Sequence, residues 1–329
     1  MESRDLGRSG RKVSRIGLGL AALGRPGYIT LGHARDLPGD HDAAAMERHA
    51  HAVMDAAWHA GVRYVDAAPG YGRAEEFLAS WLDATGNRLV VGSKWGYRYT
   101  ANWRVDVAMH EEKDHSLENL ERQLAESQTI LGSHLALHQI HSATESSGVL
   151  DRPEVLDRLA RIKHESGVAI GVTLSGPDSM RVLDQALGIE VDGVPLFDVV
   201  QATWNILEPS LTGALRVAHG QGMGVIIKEA LANGRLTERN HDPAFAPTRA
   251  VLIREAERLG CALDQLALAA ALALPFVDCV LSGATTVDQL ASNIRALDVR
   301  LDAAARDASA MVAEPVARYW ETRARLPWN

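Results

Sequence analysis

Short apolar blocks bounded by Gly, Pro, Asn or Asp alternate along this chain with longer stretches in which apolar residues return every three or four positions. The blocks predict strands at Ile16–Leu20, Val62–Asp66, Arg88–Gly96, Leu135–His141, Val168–Thr173, Asp198–Gln201, Gly224–Lys228 and Asp278–Leu281. The longer spacing predicts helices at Ala43–His59, Glu75–Leu82, Ser116–Ile130, Pro153–Glu165, Asp178–Leu187, Glu208–Ala218, Arg249–Leu259, Asp264–Leu274 and Val287–Leu297. Ahead of them, Arg4–Ser14 alternates around Gly7 and Gly10 and predicts a hairpin. No linker, composition shift or low-complexity tract interrupts the series, so residues 1–329 are expected to form a single domain. Strands alternating with helices imply a parallel sheet covered by helices, and the length suits a closed barrel better than an open doubly wound sheet. The expected fold is therefore α/β, a (β/α)8 or TIM barrel with an N-terminal β-hairpin.

Composition narrows the function. With 47% hydrophobic residues the chain can bury a large core, and a formal net charge of -8 without a basic run argues against a nucleic-acid surface. Cys261 and Cys279 lie in apolar surroundings without Cys-x-x-Cys spacing and are expected to be inert core thiols in a reducing compartment. The charged start, Met1 to Arg15, has no signal-peptide core, and the apolar run Leu263–Val277 is too short to span a bilayer. These features predict a cytoplasmic protein acting on a small molecule, with no nucleic-acid or membrane partner.

The strand ends carry the chemistry. Val62–Asp66 ends in a carboxylate and breaks at Pro69-Gly70, with Tyr71 just before the next helix. Arg88–Gly96 carries Lys94 at its end, where an ammonium needs a partner to offset desolvation. Leu135–His141 ends in His141. Taken singly, each has a bland reading as turn former, packing residue or hydrogen-bonded scenery. In a parallel barrel, however, all carboxyl ends share one face, so Asp66, Lys94, His141, Thr173, Gln201 and Lys228 converge there with Tyr71. A phenol beside an ammonium, with a carboxylate to hold that ammonium and an imidazole to meet the reacting oxygen, is suited to protonating a carbonyl or deprotonating an alcohol. No side chain supplies hydride, so a nicotinamide cofactor is implied.

Several motifs point elsewhere. Gly17-x-Gly19-x-x-Ala22 fits a dinucleotide fingerprint, with Asp36 near the spacing of a ribose-binding acid, but Gly24, Pro26, Gly27 and Gly32 forbid the helix it requires. His49 and His51 are two apart on one helix, which argues against a metal pair and for solvated histidines. The run His110 to His115 is five apart and unlike a His-Glu-x-x-His zinc helix; it is expected to be a solvated loop leading to a helix, within a long segment Tyr97–His115 that could line a site. No tyrosine has a lysine four residues on, as a short-chain dehydrogenase would need. The alternatives left open are a Schiff-base lyase using Lys94 and a non-catalytic nucleotide sensor on the same fold.

The chain resembles the aldo-keto reductase superfamily from Arg4-Asp5-Leu6-Gly7 to Asn293. The resemblance rests on Gly61–Gly72, Val91–Gly96, Gln139–Ser142, Gln201 with Asn205, Gly224–Leu236, and Gly283-Ala284 ahead of Asn293. Within the superfamily it is similar to sugar or aldose dehydrogenase-like members, including L-galactose dehydrogenase. The resemblance implies Tyr71 as general acid/base with Asp66, Lys94 and His141 as its partners, no metal, and a carbonyl, aldehyde or sugar substrate. It also implies NADP(H) or NAD(H) lying across the barrel mouth against Thr173, Gln201, Lys228, Leu231, Gly283, Ala284, Thr285, Gln289 and Asn293. Two departures stand out: Thr173-Leu174 replaces a Ser-Asn pair, and Lys228 replaces a stacking aromatic. Gly283 and Gln289 replace the Lys and Arg usual among NADP(H)-preferring relatives, and Asp288 adds a charge, so weak discrimination between the two cofactors is expected. A strong NADP(H) preference would require a cation from elsewhere, Arg235 or Arg239.

Overall fold

The computed structural model describes residues 1–39 and 41–329. Eight parallel strands close a barrel in chain order: β1 (Ile16–Gly19), β2 (Tyr64–Asp66), β3 (Val90–Trp95), β4 (Leu135–Ala143), β5 (Ala169–Leu174), β6 (Val199–Thr203), β7 (Gly224–Lys228) and β8 (Cys279–Ser282). The seam joins β8 to β1, with Val280 paired to Ile16 and Ser282 to Leu18. The outer helices are α1 (Ala43–His59), α2 (Ala74–Thr85), α3 (Leu117–Leu131), α4 (Pro153–Ser166), α5 (Ser179–Leu187), α6 (Thr212–Gly220), α7 (Ala246–Arg258), α8 (Leu263–Leu272) and α9 (Val287–Arg295). α3, capped by Ser116 accepting from the Asn119 amide at 3.2 Å, turns a stripe of Leu120, Leu124 and Leu131 inward, whereas α8 is buried on nearly every side. Among the described residues no helix is long and apolar enough to cross a membrane.

The predicted barrel and hairpin are present, with small shifts at element ends. The helix expected from Glu208 begins only at Thr212, because Asn205 and Glu208 form a β-bridge and Pro209 follows. The segment after β3 contains a second hairpin, Tyr97–Tyr99 with Glu111–Lys113, so His110 and His115 are buried rather than solvated. His49 and His51 are also half-buried, bonded to the Thr285 carbonyl at 2.5 Å and the Phe77 carbonyl at 3.0 Å. Cys279 is buried and Cys261 half-buried. Two further helices beyond the sequence-based expectation, α10 (Ala303–Met311) and α11 (Val316–Ala324), follow α9 and bury Tyr319 and Trp320.

The hairpin Ser3–Asp5 with Lys12–Ser14 plugs the amino-terminal end of the barrel. Leu6 and Val13 join Tyr64, Leu137, Val199, Ile226 and Cys279 in the apolar bottom layer. Gly7, at φ +48°, lies so close to β7 that a side chain would meet the Gly222 carbonyl at 2.6 Å. Gly17 serves the same interior: a Cβ there would sit 2.9 Å from Cys279 Sγ and from the Tyr64 ring. The first glycine of the apparent dinucleotide fingerprint thus makes room inside a barrel, whereas a Cβ at Gly19 would meet only the Ser282 carbonyl, at 3.7 Å.

Candidate active site

The strand ends gather the predicted side chains at the carboxyl mouth. Above the apolar layer, Asp66 and Lys94 form a buried ion pair through Asp66 Oδ1. The other carboxylate oxygen, Oδ2, accepts from the Tyr64 hydroxyl at 3.0 Å, Gln201 Nε2 at 2.8 Å and Gln139 Nε2 at 3.3 Å. Such saturation is what a buried pair needs to offset desolvation. Gln201 is therefore not free to hold a cofactor amide with its nitrogen, because that nitrogen faces Asp66. Lys94 does not line the cavity; its ammonium lies under the Tyr71 ring, 4.7 Å from the centroid.

Tyr71 sits in the turn Pro69–Tyr71 between β2 and α2. Its hydroxyl meets His141 Nε2 at 3.2 Å, and the two rings pack edge to face. Burial holds the His141 imidazole well below its ordinary range, reinforced by Lys94, Lys228 and Arg25, so it is neutral near pH 7. Its Nδ1 is buried without a partner. Burial also pushes the Tyr71 phenol up, and Asp66 adds to this, while Arg25 opposes both. A neutral phenol hydrogen-bonded to a neutral imidazole can give a proton to an incoming oxygen and take one back.

Arg25, from the loop after β1, escaped the sequence analysis. Its Nη1 donates to the Gly70 carbonyl at 2.9 Å and to Glu111 at 2.7 Å, and its guanidinium lies over the rings of Tyr28, Tyr71 and Trp328. Gly24-Arg25-Pro26-Gly27 has no periodicity, so only tertiary folding brings it here. Glu229 and Arg323 were missed for the same reason. Glu229, at φ 55°, forms a two-armed pair with Arg323 of α11 and lies 3.8 Å from Lys228. Burial brings the Lys228 ammonium down to about 8. Its Nζ donates to Thr203 Oγ1 at 3.0 Å.

A cavity of about 660 Å³ runs from Tyr71 across the mouth to α9. It is lined by Asp66, Tyr71 and His141, and by each of Thr173, Gln201, Lys228, Leu231, Gly283, Ala284, Thr285, Gln289 and Asn293. Its size and length fit an extended dinucleotide. At the far end, the buried Asn233 Oδ1 lacks a partner, and Gly283 leaves open space where a side chain would stand. At the near end the donor set is thin: Thr173 Oγ1 already accepts from the Ser142 amide at 2.7 Å, and Leu174 packs into the outer core. Thr173, Ser175 and Lys228 are among the polar groups of this cavity that could meet a nicotinamide. Among the described residues no three His, Cys, Asp or Glu side chains converge as metal ligands.

A parallel barrel whose mouth sets a phenol and an imidazole, above an ion-paired ammonium, beside a long cleft has groups that can exchange protons with a bound small molecule. The chain belongs to the Aldo/keto reductase family, whose sequence pattern matches residues 15–309. It is an NAD(P)-dependent oxidoreductase. Its relatives include pyridoxal 4-dehydrogenase from Microbacterium luteolum, 25% identical over 89% of this chain and 92% of that one. L-galactose dehydrogenase from Arabidopsis thaliana is 26% identical over 90% of this chain and 88% of its own. Among solved structures, the holo form of aldo-keto reductase AKR11C1 from Bacillus halodurans superposes with a TM-score of 0.72 at 22% identity, covering 95% and 97% of the two chains.

Proposed function

We propose that this chain interconverts a small, hydroxylated aldehyde or sugar carbonyl and the matching alcohol, with Tyr71 as the group that gives or takes the proton. The observation that carries this reading is the Tyr71–His141 hydrogen bond at the cavity floor, above the buried Lys94–Asp66 pair. A nicotinamide dinucleotide, when bound, supplies or accepts the hydride. Thr173, Ser175 and Lys228 would meet its nicotinamide end, and Leu231, Asn233 and Gly283–Asn293 its adenosine end. His141 would present a neutral N–H to the substrate oxygen and so orient it toward the phenol. Lys94 and Asp66 fix the floor under the phenol ring. Arg25, Tyr28, Tyr97, Glu111 and Trp328 give the substrate end aromatic faces and charged hydrogen-bonding groups, which suit a polar ring or polyol better than an aliphatic chain. The names of the pyridoxal and L-galactose dehydrogenases support the same substrate class. A Schiff-base role for Lys94 is disfavoured by its burial beneath Tyr71 and its pairing with Asp66.

Tyr71→Phe removes the hydroxyl, and with it the transferable proton and the bond to His141, while keeping the ring. Turnover of aldehydes and sugars should fall by about 10² to 10⁴, while dinucleotide binding followed by fluorescence stays close to the parent value. Unchanged turnover would overturn the assignment.

A further inference from the structure

Asp36 stands in the loop between β1 and α1, far in sequence from the segment after β8, yet its carboxylate is the hub of that segment. Oδ2 accepts from Thr285 Oγ1 at 2.9 Å and from Gln289 Nε2 at 2.9 Å. Both carboxylate oxygens accept from Arg239, at 2.5 and 2.6 Å, in a two-armed pair. Arg239 also donates to the Gly32 carbonyl at 3.2 Å. The other end of the Gln289 amide is engaged too, since its Oε1 accepts from the Thr285 amide at 2.9 Å. The Asp36 side chain is 7% exposed and lines the cavity with Asp264 and Asp288. Burial pushes its carboxyl up, but Arg239, Gln289 and Thr285 outweigh that and hold it below its ordinary value. Arg235, the other cation considered for this end, is paired with Glu314 instead.

We propose that Asp36 sets the dinucleotide preference of this site toward NAD(H), by placing a carboxylate against the Thr285–Gln289 stretch. The inference rests on the oxidoreductase reading above, in which Gly283–Asn293 receives the adenosine end. A 2′-phosphate carries close to two negative charges and three strong acceptors. At this end it meets three carboxylates, and the guanidinium that would bind it is already neutralised by Asp36. The Thr285 hydroxyl and the Gln289 amide, which could donate to a phosphate, already donate to Asp36. A ribose hydroxyl, by contrast, can donate to a carboxylate. Exclusion by like charge and by occupied donors is the repulsive element that discrimination needs.

The test is titration of the full chain with NADH and with NADPH, read by quenching of tryptophan fluorescence without substrate, for the parent, Asp36→Asn and Arg239→Ala. The parent should bind NADH about a hundredfold more tightly than NADPH. Asp36→Asn should shift the ratio of dissociation constants at least tenfold toward NADPH, and Arg239→Ala should shift it further toward NADH. A parent that prefers NADPH, or an Asp36→Asn variant that weakens both equally, would overturn the inference. So would movement of the Arg239→Ala ratio toward NADPH, since removing the cation paired with Asp36 can only add to the repulsion. If neither dinucleotide binds the parent, the oxidoreductase reading falls with it; if both bind and the ratio does not move, only the role of Asp36 falls.

Discussion

Arg25 is the guanidinium set against the Tyr71 phenol. Lys94 is closer in sequence logic, but its ammonium is paired with Asp66 and sits under the ring rather than at the hydroxyl. Arg25 lies 5.4 Å from the ring centroid and lowers a phenol that burial and Asp66 raise. Removing it should therefore raise the phenol further. In alcohol oxidation the base is the phenolate, so Arg25→Ala should move the rising limb of the pH–kcat profile to higher pH, and Arg25→Lys should return part of the way. An unmoved limb would mean that Arg25 only shapes the pocket. The acid, ammonium and imidazole could be foreseen because each lies in the last three residues of a strand, where the β period and the next turn fix their position. Arg25 could not, since its loop has no period and its partners, Gly70 and Glu111, are 45 and 86 residues away.

Among the outer elements, Glu75 of α2 is the buried acid whose setting has the clearest consequence. Its Oε1 accepts from Ser93 of β3 at 2.5 Å and from Ser127 of α3 at 2.8 Å, while Oε2 is buried with no partner. Burial pushes its carboxyl up to about 7, with the two serines opposing. The folded state thus keeps a proton that the unfolded chain releases near its ordinary value of 4.5. Stability from this group is complete below that pH and is lost as pH rises through about 7. Glu75→Gln keeps an acceptor for both serines and cannot ionise. In denaturant melts it should match the parent near pH 4.5 and exceed it at pH 8 by on the order of 3 kcal/mol. Equal stability at both pH values would show that Glu75 stays charged. Helical periodicity revealed α2 but not this role, because Glu75 reads as an ordinary acidic first-turn residue until β3 and α3 pack over it.

The alternation of periods specified the barrel and the face on which its polar ends meet, but not what covers that face. The tail helices α10 and α11 have short, alanine-rich or charged sequences without a wide apolar stripe, and Tyr319 and Trp320 are the buried side chains of α11. Their contribution appears in the folded chain: Arg323 clamps Glu229 beside Lys228, and Asn329 exchanges backbone hydrogen bonds with Tyr28 at 3.1 and 3.2 Å. The loops after β1 and β7 meet through Asp36 and Arg239, so the mouth is assembled from parts of the chain about 200 residues apart.

The seam between β8 and β1 carries one more consequence. Ile16 and Val280 are joined across 264 residues, and the residues that follow β8 line the end of the cleft proposed above to take the adenosine. Closing the cylinder and building the pocket are thus one event, and a molecule filling that pocket acts as a rivet on the joint. Saturating dinucleotide, at a hundred times its dissociation constant, should raise the unfolding free energy by about 2.7 kcal/mol. In hydrogen exchange the protection should concentrate in Ile16–Gly19 and Cys279–Ser282, so that the protein is hardest to open where its two ends are sewn together.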